Sequence, residues 1–359
     1  MPTFLHTSDL HLNALRRFSQ FYLGRAKACL RHIQNIAEDR EVDFIVVAGD
    51  IYDRRDITHA ERLLLSEWLA ECRVPVVMIS GNHDKRSVEV GDTCLSYLSA
   101  FAQRLGNHLV HDGEPSVYER FGCYLVLMPY QGWMDQELFL IVQALLEDYC
   151  TNPDLPVVVV LHEAVQGCKT DVGLSITKAN QIRIDNNLPS VTYWAMGDMH
   201  ICQSLLDCAW YSGSPHQTRF DEVAEKGVLI VDTNRPADPE FVPVPSIPLR
   251  IVTEELEDWP PPEEALIQFR PEGPFPENAL PLNVEFHPSV VSLERRQDRD
   301  QQMVTVGIFD DLETALERAH LPEDLYPLAW RIAIKLAKTA GVTVELPDRY
   351  QVQDNDEQG

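Results

Sequence analysis

The sequence predicts an α/β protein, and three observations carry that expectation. Short, wholly apolar runs alternate with longer amphipathic stretches from the start to about residue 235, the pattern of strands and helices packed in layers. Most of the apolar runs end in Gly, Asp, Asn or His, which break strands and favour loops. A chain of 359 residues, 45% of them hydrophobic, can bury a large core and leave a smaller second body.

The elements follow in order. Thr3–Thr7 reads as a short apolar strand, Arg16–Asp39 as a helix by its periodicity, and Asp43–Ala48 as a buried strand. Thr58-x-x-Glu61 has the capping-box pattern, in which hydroxyl and carboxylate satisfy each other's backbone N–H groups; that helix runs to about Cys72. Pro75–Ser80, Tyr124–Met128, Pro156–Leu161 and Tyr193–Met196 are further strands, with a helix over Gln136–Tyr149. Trp210–Ser212 and Gly227–Asp232 close the series. Beyond residue 235, prolines at 236, 239, 243, 245 and 248 and the acidic Glu254–Glu264 stretch mark a connector. Pro281–Pro288 and Met303–Ile308 read as strands of a small second domain, and Asp310–Ala340 as two helices broken at Leu321-Pro322. The polar tail Gln351–Gly359 reads as disordered. The expected organisation is therefore 1–240, 241–308, 309–345 and 346–359.

The formal net charge of −26 argues against tight unaided binding to long nucleic acids, since phosphate neutralisation supplies much of that affinity. It does not exclude a nuclease whose bound cations or partner contribute positive charge. No apolar run approaches the roughly 20 residues of a membrane span, and the first residues lack an export signal. Eight scattered cysteines without a Cys-x-x-Cys pair fit reduced thiols and a cytoplasmic protein.

Five blocks at strand ends carry the chemistry: Asp9-Leu10-His11, Gly49-Asp50, Gly81-Asn82-His83-Asp84, His162 and Gly197-Asp198-Met199-His200. Singly, each is commonly a turn or a satisfied polar residue. Jointly they supply enough carboxylate, amide and imidazole ligands for two adjacent divalent cations, an arrangement that clamps the attacking and leaving oxygens of a phosphoester. Open α/β sheets collect function at the carboxyl ends of their strands, where every one of these blocks falls.

In order and composition the blocks resemble the calcineurin-like metallophosphoesterase superfamily, with its D-x-H, G-D-x-x-D, G-N-H-D, lone H and G-H-x-H motifs. Leu5–Leu12 and Gly49–Asp53 are similar to the SbcD nuclease branch. So are Tyr211-Ser212-Gly213-Ser214-Pro215, Phe220-Asp221-Glu222 and Lys226-Gly227-Val228. The resemblance covers roughly residues 1–250. It implies a four-layer αββα sandwich with a smaller C-terminal α+β cap and a helical tail. It also implies one metal on Asp9, His11, Asp50 and His200, and a second on Asp50, Asn82, His162 and Asp198. His83 would protonate the leaving oxygen, with Asp84 steering its ring, and a metal-activated water would attack. Asp198 stands where the superfamily has a histidine; a carboxylate there is a harder ligand, suited to Mn²⁺ or Mg²⁺.

The implied activity is that of a Mn²⁺-dependent nuclease in double-strand-break processing, exonucleolytic on duplex ends and endonucleolytic on single strands. Its implied partners are DNA, an SbcC-like coiled-coil ATPase and a second copy of the chain. Residues 241–308 would contact DNA, and the 309–345 helices could dock the ATPase. Two other readings compete: a phosphatase or small-molecule phosphodiesterase, which the acidic charge favours, and a scaffold whose metal site has decayed at Asp198. Arg54, Arg55 and His216 are candidates for phosphate contact, and Asp53 for shaping its loop.

Overall fold

A computed structural model describes residues 1–18, 21–87, 89–132, 135–170, 184, 188, 190–254, 256, 259–261, 263–271 and 280–286. Two six-stranded sheets form its centre. The first has the order β12-β11-β1-β2-β3-β4: β1 is Thr3–Thr7, β2 Phe44–Ala48, β3 Val76–Ile79, β4 Leu109–His111, β11 Gly227–Asp232 and β12 Glu240–Pro243. The second has the order β5-β6-β7-β8-β10-β9: β5 is Ser116–Arg120, β6 Cys123–Met128, β7 Val157–His162, β8 Tyr193–Gly197, β9 Gln203–Leu206 and β10 Ala209–Tyr211. β1 to β4 run parallel, as do β6, β7, β8 and β10; β11 pairs antiparallel with β1 and with β12, and β5 and β9 close the second sheet antiparallel.

The period-2 alternation of side chains divides each strand between two cores. Phe4, Phe44, Val46, Val77 and Ile79 of the first sheet meet Leu125, Leu127, Val158, Val160 and Tyr193 of the second in one buried cluster. The opposite faces of the first sheet, including Leu5, Ile45, Val47 and Met78, pack against helices α1 (Tyr22–Asp39), α2 (His59–Glu71) and α3 (Ser96–Leu105). Val126, Val159, Leu161 and Trp194 pack the second sheet's outer face against α4 (Asp135–Tyr149). The layers are thus helix, sheet, sheet, helix, as expected.

The capping box of α2 is present: Thr58 accepts from the Glu61 N–H, and the Glu61 carboxylate accepts from the Thr58 N–H at 2.7 Å. Helix α1 begins at Tyr22, six residues later than its periodicity suggested. Leu12–Phe18 instead fold as turns, and Arg16 there reaches across to Glu61 and Asp56. A third, parallel sheet joins β13 (Leu249–Val252), β14 (Leu266–Phe269) and β15 (Val284–Phe286).

One compact unit takes in Met1–Phe269 and Glu277–Phe286; of the other, Arg270–Pro276 with His287–Gly359, only residues 270 and 271 are described. The expected boundary at 240/241 falls inside β12. The expected strand Met303–Ile308, the helical segment 309–345 and the tail 346–359 lie outside the described residues. No helix among the described residues is long and apolar enough to cross a membrane.

Candidate metal centre

The carboxyl ends of β1, β2, β3, β7 and β8 converge, although they belong to two sheets. Backbone bonds zip their loops together: Asp9 N–H donates to Gly49 O at 3.0 Å, His11 N–H to Asp50 O at 3.1 Å, and Leu12 N–H to Ile51 O at 3.0 Å. The loops are strained where the chemistry sits. Asp9, His11, Asp50 and Asp198 have φ of 52°, 40°, 50° and 94°, a region that costs a side-chain-bearing residue about 1–3 kcal/mol. Glycines make room for the approach. A Cβ on Gly49, itself at φ 88°, would stand 2.3 Å from the His162 ring, and one on Gly81 would stand 2.1 Å from Asp50 Oδ1.

Two donor groups meet at Asp50. On one side, Asp9, His11 and His200 bring their ligand atoms within 4.8 Å of one another, with His11 Nε2 3.6 Å from Asp50 Oδ2. On the other, Asp50 Oδ1 lies 3.3 Å from His162 Nε2, and Asp198 Oδ1 lies 3.8 Å from the same nitrogen. Asn82 turns its amide oxygen to His162 Nε2 at 3.0 Å; with the amide reversed, its NH2 would donate to both Asp50 oxygens at 3.2 Å. The first orientation is the one a cation selects, because only electron pairs then converge.

The imidazoles are set for the same purpose. His162 Nδ1 lies 2.7 Å from Ala48 O, an acceptor only, so Nδ1 carries a proton. Nε2 faces Asp50, and against the effect of burial the Asp50, Asp9 and Asp198 charges raise the ring well above its ordinary value. Nε2 would become a lone pair when a cation takes the place of its proton. His200 Nδ1 lies 2.9 Å from the Glu222 carboxylate, which leaves its Nε2 pointing at His11 Nε2, 3.1 Å away. A histidine that gives one N–H to a carbonyl or carboxylate while its other nitrogen faces inward is the usual support of a metal ligand.

Electrostatics agree. Burial raises the Asp9 carboxyl above its ordinary value and pushes Asp198 up to about 6. Burial would raise Asp50 also, but His162, His11 and His83 hold it well below the usual carboxylate range. Burial drives His11 down to about 3, and its Nδ1 is a buried polar atom without a hydrogen-bond partner. Three carboxylates thus crowd a buried place whose imidazoles only partly offset their charge. Divalent cations fit this donor set, with hard oxygens and neutral nitrogens.

His83 sits at the rim, its side chain 42% exposed. Its Nδ1 donates to the Asp53 carbonyl at 2.8 Å, so Nε2 faces a cleft of about 540 Å³ that Asp50, Asp198 and His200 also line. Asp84, expected to steer His83, serves the backbone instead. Asp84 is fully buried and accepts the backbone N–H groups of Ile51, Tyr52 and Gly81 at 3.1, 3.0 and 2.9 Å. Burial and the neighbouring Asp50 charge push it up to about 7. It ties the β2 and β3 loops together, and the ring is steered by Asp53. His216 also departs from expectation: it is buried, its Nε2 donates to Leu10 O at 2.7 Å, and its Nδ1 accepts from Arg25 at 3.0 Å. Both nitrogens are used inside the protein, so it has none for a phosphate. Arg54, Arg55 and His83 line an adjoining cleft of about 480 Å³.

Sequence reasoning assigned no role to Asn13, Glu222 or Lys226. Asn13 holds the Asp53–Arg54 turn through Oδ1 at 2.8 and 3.0 Å, and nothing in its local sequence marks it. Glu222 and Lys226 lie in the stretch similar to the nuclease branch, which flagged their positions but not their contacts.

Comparison with known proteins agrees with this geometry. Residues 2–202 match the sequence profile of the calcineurin-like phosphoesterases. The SbcD component of the SbcCD nuclease of Staphylococcus epidermidis is 28% identical over 71% of this chain and 73% of its own length. The uncharacterized metallophosphoesterase YhaO of Bacillus subtilis is 26% identical over 67% of this chain and 59% of its own length. A Thermus thermophilus protein of known structure is 13% identical and covers 68% of this chain and 99% of its own, with a TM-score of 0.44. Because the profile spans more than half of the sequence and every donor from Asp9 to His200, the chain belongs to the calcineurin-like phosphoesterase family.

Proposed function

We propose that the protein is a two-metal DNA nuclease of the SbcD type that processes double-strand breaks with an SbcC-like ATPase. The observation that carries the two-metal reading is Asp50, whose two oxygens face two donor groups, His11 on one side and His162 on the other. One cation would rest on Asp9, His11, Asp50 and His200, the other on Asp50, Asn82, His162 and Asp198. Mn²⁺ or Mg²⁺ held there would supply Lewis-acid activation of water and of the phosphoryl oxygens. Asp198 supports a retained second position, since its carboxylate faces His162.

The chain's own groups complete the site. His83 offers Nε2 at the cleft, its ring fixed by the Asp53 carbonyl, and would give a proton to the leaving oxygen. Asp84 holds the loop that carries His83. Arg54 and Arg55 offer positive charge on the same side. The relative named as part of the SbcCD nuclease supports DNA as substrate and an SbcC-like partner. Residues 241–308 are assigned to DNA contact, 309–345 to the ATPase, and the active form to a dimer. The net charge of −26 favours a second reading, a phosphodiesterase of small molecules.

Purified protein and a His83→Ala variant, each with Mn²⁺, are offered labelled duplex DNA, single-stranded DNA and bis-p-nitrophenyl phosphate. The nuclease reading expects the wild type to cut DNA and the variant to lose about 10²–10⁴-fold in rate. Turnover of the small ester alone would establish the second reading instead.

A further inference from the structure

Glu222 lies 22 residues beyond His200 and outside the segment that matches the family profile. Its side chain is 1% exposed, and both oxygens are engaged. Oε1 lies 2.9 Å from His200 Nδ1 and 2.6 Å from Thr218 Oγ1. Oε2 accepts the Thr218 backbone N–H at 3.0 Å and faces Lys226 Nζ at 2.9 Å. Lys226 is itself buried and also donates to Ser214 Oγ at 2.8 Å and to the His200 carbonyl at 3.0 Å.

The protons in this network can be placed. Lys226 can only donate, so the carboxylate facing it is ionised and can only accept. Thr218 Oγ1 is 2.6 Å from that carboxylate but 3.3 Å from His200 Nδ1, so its hydroxyl proton goes to Glu222. His200 Nδ1 therefore has to supply its own proton to Glu222. The consequence falls on the other nitrogen, because a neutral imidazole protonated at Nδ1 carries a lone pair at Nε2. That lone pair faces His11 Nε2 at 3.1 Å and Asp9 Oδ1 at 4.0 Å.

We propose that Glu222 is a positioning residue that, backed by Lys226, locks His200 in the Nδ1–H form and thereby makes its Nε2 a ligand for the cation held with Asp9 and His11. The proposal rests on the two-metal reading above. It assigns Glu222 to one of the two positions only, since His162 takes its orientation separately from Ala48 O. Lys226 gains a function as well: its ammonium faces Glu222 Oε2 at 2.9 Å and so holds the carboxylate in place against His200.

The test compares the full-length protein with Glu222→Gln. Long-range ¹H–¹⁵N spectra of histidine-labelled, metal-free protein, assigned with His200→Gln, report the His200 tautomer. Titration with Mn²⁺ alone, followed by the electron-paramagnetic signal of the free ion, reports stoichiometry and affinity. The expected result is a single Nδ1–H form in the wild type and a tautomer mixture in Glu222→Gln. One of two Mn²⁺ should bind about 10–100-fold more weakly, as outer-sphere partners of metal histidines typically command, while the other is unchanged.

Glu222→Gln leaves a buried ammonium unpaired and can fail to fold. The double variant Glu222→Gln/Lys226→Met removes both charges, and the same two changes are expected of it. An unaltered tautomer, or two Mn²⁺ bound as in the wild type, would overturn the proposal and leave the two-metal reading standing. A wild type that binds no divalent cation would overturn that reading and this proposal with it.

Discussion

In the proposed two-metal site, Asp50 and Asp198 would play different parts. Asp50 is buried and faces both donor groups, whereas the Asp198 side chain is 24% exposed and faces His162. Asp50→Ala should abolish uptake of both ions, because each donor group loses its shared oxygen. Asp198→Ala should reduce the count from two Mn²⁺ to one, read by metal analysis after gel filtration. Two ions retained by Asp198→Ala would show that the carboxylate at this position is not a ligand. The four positive-φ residues of the site fit this division, since a strained loop persists only where its surroundings over-determine it. Backbone zippering between the β1 and β2 loops provides that constraint.

At the scale of the elements, helix α2 is anchored at its start by more than its own cap. The Glu61 carboxylate, buried to 0% side-chain exposure, accepts from Arg16 at 2.7 and 2.9 Å, from Tyr22 at 3.0 Å and from the Thr58 N–H. It therefore ties α2 to the turn after the β1 loop, which carries Asp9 and His11. Burial alone would raise the Glu61 carboxyl, but Arg16 outweighs it and the group lies below its ordinary value of 4.5. The folded form thus releases its proton more readily than the unfolded chain. Its stabilisation is complete above pH 4.5 and is lost as pH falls through the folded value. Urea unfolding across pH 3–7 should show Glu61→Gln less stable at neutral pH by about 3 kcal/mol, with a shallower loss on acidification than the wild type. Parallel pH profiles would remove the role given to Arg16. Of the elements, the sequence made β1, β2, β3, β6, β7, β8 and α2 legible, because buried parallel strands read as unbroken apolar runs. Strands β5, β9, β12 and β13 were not legible: they are short, half-exposed edge strands that pair with a neighbouring strand in the sequence, and their mixed polar and apolar residues form no unbroken apolar run. Helix α3 buries only Leu98 and Ala102, too narrow a stripe to stand out.

Across the whole molecule, charge and site pull in opposite directions. A chain of formal charge −26 repels a polyanion beyond the reach of a few local arginines, within a Debye length of about 8 Å at physiological salt. Alone, it should bind duplex DNA weakly at 150 mM salt, at or above the roughly 10⁻⁴–10⁻⁶ M range of non-specific binders. A basic partner should tighten this by an order of magnitude or more. Fluorescence anisotropy with and without the partner checks both, and nanomolar binding by the isolated chain would refute the account. The same reasoning makes small-ester turnover by the isolated protein less sensitive to salt than its DNA cleavage.

What the sequence determined by itself was the order of the strands that matter and the donor types at their ends. Both are local properties, written in unbroken apolar runs and in the Gly, Asp, Asn and His that stop them. The tertiary structure alone decided which atoms do what. Asp84 serves backbone amides, Asp53 holds His83, His216 is consumed by Leu10 and Arg25, and Glu222 reaches His200. The physical reason is that an imidazole or carboxylate takes its role from whichever donor or acceptor packs within about 3 Å of it. For His216 and Leu10 that neighbour is 206 residues away along the chain.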